Sequence, residues 1–320
     1  MRFDDTVVIT PKALGASLLS TVVLRRLAAE RCGHSLRCVT QYPEIFKGLP
    51  YVDHVYSIDE PWLFERAIQD NEVIDLTGTL DFQPNRRITP LHLIDLLCRR
   101  ANVSNDGIGP ECRLSIAELN TGRELVASLR RAKNCRVVAM TTRTSTPNKE
   151  WPRERWSQLV ERTHDSITWL HLGFCLDPPI QDVEYRYLTL REDIAVLTHV
   201  DGIVTLDTLL LHEAAAAHNR SVVVLLGSSH PDCVSYRGFA NLYVENLDCQ
   251  PCGRPYHPLD LAYASDGTQR LRASGKPRKW ECEHVDCMSF IPIDMVELAI
   301  VRNLEGAVLS QESHHGSAKL

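Results

Sequence analysis

Short β-branched runs alternate along the chain with longer stretches in which apolar residues recur three and four positions apart. Thr6-Val7-Val8-Ile9-Thr10 reads as a strand, Pro11 and Gly15 as the break after it, and Leu18 to Glu30 as a helix. Leu36 to Thr40, Val52 to Ile58 and Glu72 to Leu76 read as further strands, and Leu91 to Ala101 as a helix. Residues 102–112, rich in Gly, Pro, Asn and Asp, read as a connecting loop. A second series follows a helix from Thr121 to Arg131. Its strands are Arg136 to Met140, Ile167 to Leu172, Gly202 to Thr205 and Ser221 to Leu226, and its helices Pro152 to Thr163, Ile194 to Val200 and Leu209 to His218. The tail from Ser310 to Leu320 is polar and reads as loose.

This alternation predicts an α/β protein whose parallel sheets are covered on both faces. At 320 residues the chain exceeds the roughly 250–300 at which single cores stop growing. Two doubly wound units joined near residues 120–135 are expected, with ligands at the C-terminal ends of the strands, in the cleft between the units. No internal repeat or low-complexity tract interrupts the pattern.

Net charge is −6, so no general pull toward nucleic acid or an anionic membrane is expected. The acidic N-terminus lacks the basic and apolar regions of a signal peptide, and the apolar runs are strand-length, so a cytoplasmic location is expected. Of eleven cysteines, Cys32, Cys38, Cys98, Cys112, Cys135, Cys175 and Cys233 are scattered and read as reduced thiols. The other four form two close pairs, Cys249-Gln250-Pro251-Cys252 and Cys282-x4-Cys287, separated by a basic, loop-like segment. Two such pairs match a structural four-cysteine site that suits zinc or iron equally, with four nearby reduced thiols as the bland reading.

Two other motifs carry chemistry. Thr141-Thr142-Arg143 with Lys149-Glu150-Trp151-Pro152 and Trp156, and Asp207-Thr208-Leu209 with His212, each join a strand end to a helix start. Free backbone N–H groups and the helix dipole attract a phosphate there, and Lys149 with the threonine hydroxyls adds charge and donors suited to a diphosphate. The bland readings are a solvated Lys149, core packing for Trp151 and Trp156, a helix cap for Asp207 and Thr208, and a satisfied core histidine for His212.

Taken with Pro11-Lys12-Ala13-Leu14-Gly15, Leu24-Arg25-Arg26-Leu27, Leu49-Pro50-Tyr51-Val52-Asp53-His54-Val55, and Gly227 with Pro231, these motifs resemble the heptosyltransferase-type glycosyltransferases, glycosyltransferase family 9. The resemblance runs over nearly the whole chain. It implies the GT-B fold: an acceptor domain over 1–130 and a nucleotide-sugar donor domain over 131–320, which includes the Cys-rich segment 249–287. It implies an inverting transfer that needs no metal or other catalytic cofactor, most often of heptose from ADP-heptose. The acceptor would be a lipopolysaccharide core sugar or a protein hydroxyl, and oligomeric state is left open. Thr141, Thr142 and Lys149 would hold the diphosphate, Thr208 and Leu209 would present amides to it, and Asp207 and His212 would lie near the donor sugar. His92 and Asp95 read as a structural pair or cleft wall. Some members that glycosylate proteins carry an iron-binding cysteine finger in a similar place, which makes Cys249, Cys252, Cys282 and Cys287 the matching set.

The chain departs from this family at one position. The family's first loop reads Leu-Gly-Asp, with that Asp as the base, whereas this chain has Leu14-Gly15-Ala16-Ser17. Ala16 stands either for a substituted Asp or beside another carboxylate that has taken over, or else the protein binds a nucleotide sugar without turning it over. The intact donor motifs favour the first. A nicotinamide-dependent oxidoreductase fits less well, because the first turn lacks G-x-G-x-x-G.

Overall fold

The computed structural model describes residues 5–31, 33–60, 62, 65, 68–69, 71–80, 91–133, 135–145, 147–173, 179–245, 247 and 285–315. The first series runs β1 (Asp5–Ile9), α1 (Leu14–Glu30), β2 (Ser35–Thr40), the single turn α2 (Pro43–Phe46), β3 (His54–Ser57), β4 (Glu72–Asp75) and α3 (Leu93–Arg100). Its parallel sheet has the order β3-β2-β1-β4. Helix α4 (Ile116–Lys133) leads to β5 (Arg136–Met140), a 3₁₀ turn (Pro147–Lys149), α5 (Arg153–Thr163), β6 (Ile167–Leu172), β7 (Val183–Arg186) and α6 (Leu190–Leu197). Then come β8 (Gly202–Leu206), α7 (Leu209–Ala216), β9 (Val222–Leu226), α8 (Pro231–Val234), β10 (Ala240–Tyr243), α9 (Asp286–Ser289) and α10 (Ile293–His315). The second sheet is also parallel, in the order β10-β9-β8-β5-β6-β7. Two parallel sheets of four and six strands, flanked by helices, make the expected GT-B arrangement.

The central strands form where the sequence is continuously apolar. Every residue of β6, β8 and β9 is buried, as strands covered by helices on both faces require. The edge strands β7 and β10 escaped the sequence reading because their residues are mixed and mostly half-buried, leaving no apolar run to mark them. Helix α10 also went unread, and the tail expected to be loose from Ser310 is helical as far as His315. Val296, Ile300 and Leu304 bury one face of α10 on the second sheet, and extending a packed helix is easier than starting one.

Helix α1 begins at Leu14, not Leu18, so Gly15 and Ala16 lie in its first turn and do not break the chain. Two of the sequence markers prove to be braces. Arg25 on α1 binds Asp106 through Nε (3.0 Å) and Glu111 through Nη1 (2.6 Å), while Tyr51 Oη donates to Glu111 (2.7 Å). They pin the 102–112 loop along α1.

Helix α4 runs through the boundary expected at residue 130 and packs on α6 so closely that a Cβ at Gly122 would lie 2.5 Å from the Ala195 backbone. Arg191 of α6, 8% exposed, clasps the two halves: its guanidinium pairs with Glu118 (2.6 and 2.9 Å) and donates to the carbonyls of Glu44 and Arg113. One buried cluster runs from Val8 and Leu18 in the first series to Leu211 and Leu226 in the second.

Candidate active site

Each sheet reverses its strand order once, between β1 and β4 in the first and between β5 and β8 in the second. Ligands of doubly wound sheets bind at the carboxyl ends of the strands flanking such a reversal. Thr141 and Thr142 follow β5, Asp207 and Thr208 follow β8, and the start of α1 follows β1.

Asp207 is 8% exposed and is held from two sides: its Oδ2 accepts from Lys149 Nζ at 2.7 Å and from Ser229 Oγ at 2.7 Å. Burial pushes the carboxyl up, but the Lys149 ammonium and the two hydrogen bonds outweigh it and bring the pKa down to about 2. Asp207 is therefore ionised at neutral pH, and Lys149 is a shared cation anchored at the mouth of α7, where the sequence suggested a free point charge. Ser229 was not anticipated; its only signal is a polar residue just past the end of β9.

Thr208 occupies the N-cap position of α7 in an extended conformation, but its side chain makes no capping bond. Its amide donates to Leu206 O (2.9 Å), which withdraws one of the two amides expected to face a diphosphate. The amides of Leu209 and Leu210 have no acceptor among the described residues, so they are the donors this helix start leaves open. Thr141 is buried at the end of β5. Thr142 turns inward: its amide (3.3 Å) and its Oγ1 (3.0 Å) both meet Nε2 of His171. Burial, and secondarily the Arg153 charge, lowers His171 to about 4. The neutral ring therefore accepts the amide, and the Thr142 hydroxyl is committed to it. Beside these residues opens a cavity of about 310 Å³ lined by Thr142, Arg143, Glu150, Arg153 and Trp156. Trp151 and Trp156 are core, edge to face at 5.0 Å.

His212, 6% exposed, lies on α7 against the first turn of α1. A Cβ at Gly15 would come within 3.2 Å of His212 Cδ2 and 4.0 Å of its Nε2, so glycine is what lets the two helices meet. On the other side of the ring, Nδ1 is hydrogen-bonded to Tyr236 Oη at 2.8 Å. Tyr236 lies against Gly109, the edge of His92 (5.4 Å) and Phe239 (5.5 Å). No local pattern marks Tyr236, because its role comes from a contact between α7 and the segment after α8. Burial lowers His212 to about 4; Asp207 opposes this, while His92 and Lys149 add to it.

Ala16 is half-buried in the first turn of α1, and Ser17 is fully buried with its hydroxyl donated to Pro11 O at 2.6 Å. His92 caps α3 by accepting from the Ile94 amide (3.1 Å), while Asp95 accepts from Asn105, so each is structurally engaged. Cys287 is buried against Gly227, whose Cβ would fall 2.8 Å from its Sγ. Cys249, Cys252 and Cys282 lie outside the described residues. Among the described residues, no group of three or more His, Cys, Asp or Glu is placed to hold a metal ion.

No protein-family model and no curated protein matches the chain. Solved structures do. A glycosyl transferase of family 9 from Veillonella parvula is similar over 96% of this chain and 99% of its own, with a TM-score of 0.68 and 14% identity. The E. coli ADP-heptose LPS heptosyltransferase II gives a TM-score of 0.65 at 15% identity, over 95% of this chain and 99% of its own. The iron-containing dodecameric glycosyltransferase TibC of enterotoxigenic E. coli gives 0.66 at 14% identity, over 97% and 81%. At such identities the likeness establishes architecture, and the chain has the GT-B fold of the family 9 heptosyltransferases.

Proposed function

We propose that the protein is a glycosyltransferase that takes its sugar from ADP-heptose or a related nucleotide sugar by an inverting displacement. The observation that carries this reading is the anion site at the β5/β8 reversal: Lys149 anchored on Asp207, beside the open amides of Leu209 and Leu210. Such preorganised donors stabilise charge as it develops on a departing diphosphate. The adjoining cavity is suited to the nucleoside, and the facing start of α1 to the acceptor, which aligns the two reactants. On this reading residues 1–130 contribute the acceptor side and 131–320 the donor side, and position 16 faces the reaction. Two of the similar structures are described as an ADP-heptose LPS heptosyltransferase and as TibC in complex with ADP-D-β-D-heptose, which supports this donor, and the first supports a saccharide acceptor, with a protein hydroxyl as the alternative. Among the described residues no helix is long and apolar enough to cross a membrane.

A structural zinc or iron on Cys249, Cys252, Cys282 and Cys287 belongs to the same proposal; the iron of TibC supports it. Metal analysis of the purified protein tests it, and chelation that releases no metal and leaves the melting temperature unchanged counts against it.

Ala16 favours a second reading, a nucleotide-sugar binding protein without turnover. Thermal shift against ADP-heptose, ADP, UDP-glucose, GDP-mannose and NAD tests the donor site shared by both, because a ligand at 100 times its Kd stabilises the folded state by about 2.7 kcal/mol. A selective shift with ADP-heptose is expected. A shift with NAD alone, or with none of the five, would remove both readings.

A further inference from the structure

The chemistry proposed above needs a group that takes the acceptor proton, and the first turn of α1 supplies a methyl group at Ala16. The neighbouring polar groups are already committed. Ser17 donates its hydroxyl to Pro11 O, Asp207 is held ionised by Lys149 and Ser229, and His171 receives Thr142. Asp95 is engaged by Asn105, and His92 Nδ1 by the Ile94 amide, while His92 Nε2, unpartnered among the described residues, is fully buried and closed to an acceptor.

The ring of His212 stands apart from these. It reaches across from α7 to the Cα of Gly15, one residue before Ala16, and its Nδ1 is occupied by Tyr236 Oη. Its Nε2 has no hydrogen-bond partner among the described residues, and it is not one of the fully buried, unsatisfied atoms. The ring is thus fixed at one nitrogen and open at the other, at the place where the two units face each other. We infer that His212 Nε2 is the base that receives the acceptor hydroxyl proton, with Tyr236 as the positioning residue that fixes the ring.

This rests on the transferase reading. In the step, the acceptor O–H gives its proton to Nε2 while its oxygen bonds to the anomeric carbon. The bond from that carbon to the diphosphate oxygen breaks, and the electron pair leaves with the nucleoside diphosphate toward Lys149 and the amides of Leu209 and Leu210. Nε2 must start unprotonated, so Nδ1 carries the hydrogen and donates it to Tyr236 Oη. The imidazolium formed keeps that bond and later returns its extra proton to water. Burial keeps the resting ring neutral, and the groups that face it are Asp207, Lys149, His92 and Tyr236. Its basicity is close to that of a carboxylate, the group expected at position 16.

The test uses the full-length protein with ADP-heptose, following ADP release to water and to heptose acceptors, and ADP binding separately. General-base catalysis contributes about 10²–10⁴-fold. His212→Asn keeps a partner for Tyr236 and removes Nε2; His212→Gln keeps a polar group near Nε2 without its basicity. Both are expected to lower kcat at least about 100-fold and change ADP affinity less than about twofold. Tyr236→Phe is expected to lower kcat with little effect on KM and to move the acidic limb of the pH–rate profile. A smaller loss than 100-fold in both His212 variants overturns the inference. So does wild-type protein that binds ADP-heptose and releases no ADP, an outcome that selects the binding protein without turnover. Failure to bind any nucleotide sugar instead sinks the transferase reading and the inference with it. Independently of turnover, long-range ¹H–¹⁵N spectra of the wild-type protein are expected to show His212 with its hydrogen on Nδ1, and a hydrogen on Nε2 overturns the inference.

Discussion

Removing the Lys149 amine tests whether the anion site is held together by charge. In the native protein the Asp207 carboxyl is depressed from 3.8 to about 2. At 1.36 kcal/mol per unit, this is a contribution of about 2 kcal/mol from the ionised form. Because the folded pKa is the lower one, that stability is present above about pH 3.8 and is lost as the pH falls toward 2. In Lys149→Ala the burial remains and the cation is gone, so the carboxyl moves above its ordinary value. Deleting one partner of a buried pair costs about 3–5 kcal/mol. The loss should therefore be largest at pH 7 and shrink toward pH 4, by about 1.4 kcal/mol for each unit by which the variant carboxyl exceeds 4. Urea titrations across this range, followed by the fluorescence of buried Trp151 and Trp156, read it directly. Asp207→Asn on the Lys149→Ala background should recover most of the loss, since it removes the stranded charge. A Lys149→Ala loss below about 1 kcal/mol at pH 7, or one that does not vary with pH, would refute the reasoning.

Asp193 is half-buried and Glu213 buried; burial raises both carboxyls, Asp193 to about 8 with the Glu192 charge adding to it, and Glu213 with the Asp193 charge adding to it. A raised carboxyl stabilises the fold below its ordinary pKa and loses that stability as the pH rises, so stability should fall between about pH 4 and 8. Asp193→Asn with Glu213→Gln should flatten the slope, as measured by chemical unfolding; an unchanged slope would mean that other groups set it. Ala16→Asp places a carboxylate in the first turn of α1, where the helix dipole favours it by about 0.3–1 kcal/mol. On the His212→Gln background it is expected to restore ADP release from ADP-heptose at least tenfold, and no recovery would indicate that position 16 does not face the acceptor. Gly122→Leu drives a side chain into the Ala195 backbone, 2.5 Å from where its Cβ would sit. A loss of about 3 kcal/mol or more is expected, because the atoms it meets are backbone and cannot swing away; a neutral result would show that α4 and α6 do not pack this way.

Legibility followed the range of the interactions. β5 and β6 coincide with their sequence readings, and β8 and β9 agree to within one residue, because each is an apolar run set by local composition. The edge strands β7 and β10 have one neighbour each and no apolar run, and they form because a sheet edge recruits them. In the site, Lys149, Asp207 and His212 were legible as residue types at strand ends. Their roles were less so. Thr142 turned inward to His171, the Thr208 amide went to Leu206, and Asp207 took up Lys149.

By itself the sequence determined the alternation of strands and helices, the two series, and the polar groups at the strand ends. These follow from periodicity, strand composition and the free amides of helix starts, all of which act over a few residues. Only the tertiary structure decided that α1 meets α7 at Gly15, that Ser229 and Lys149 converge on Asp207, and that Tyr236 holds His212. Those contacts join residues far apart in the chain, and they exist only once two sheets have buried their faces and brought the helix ends together.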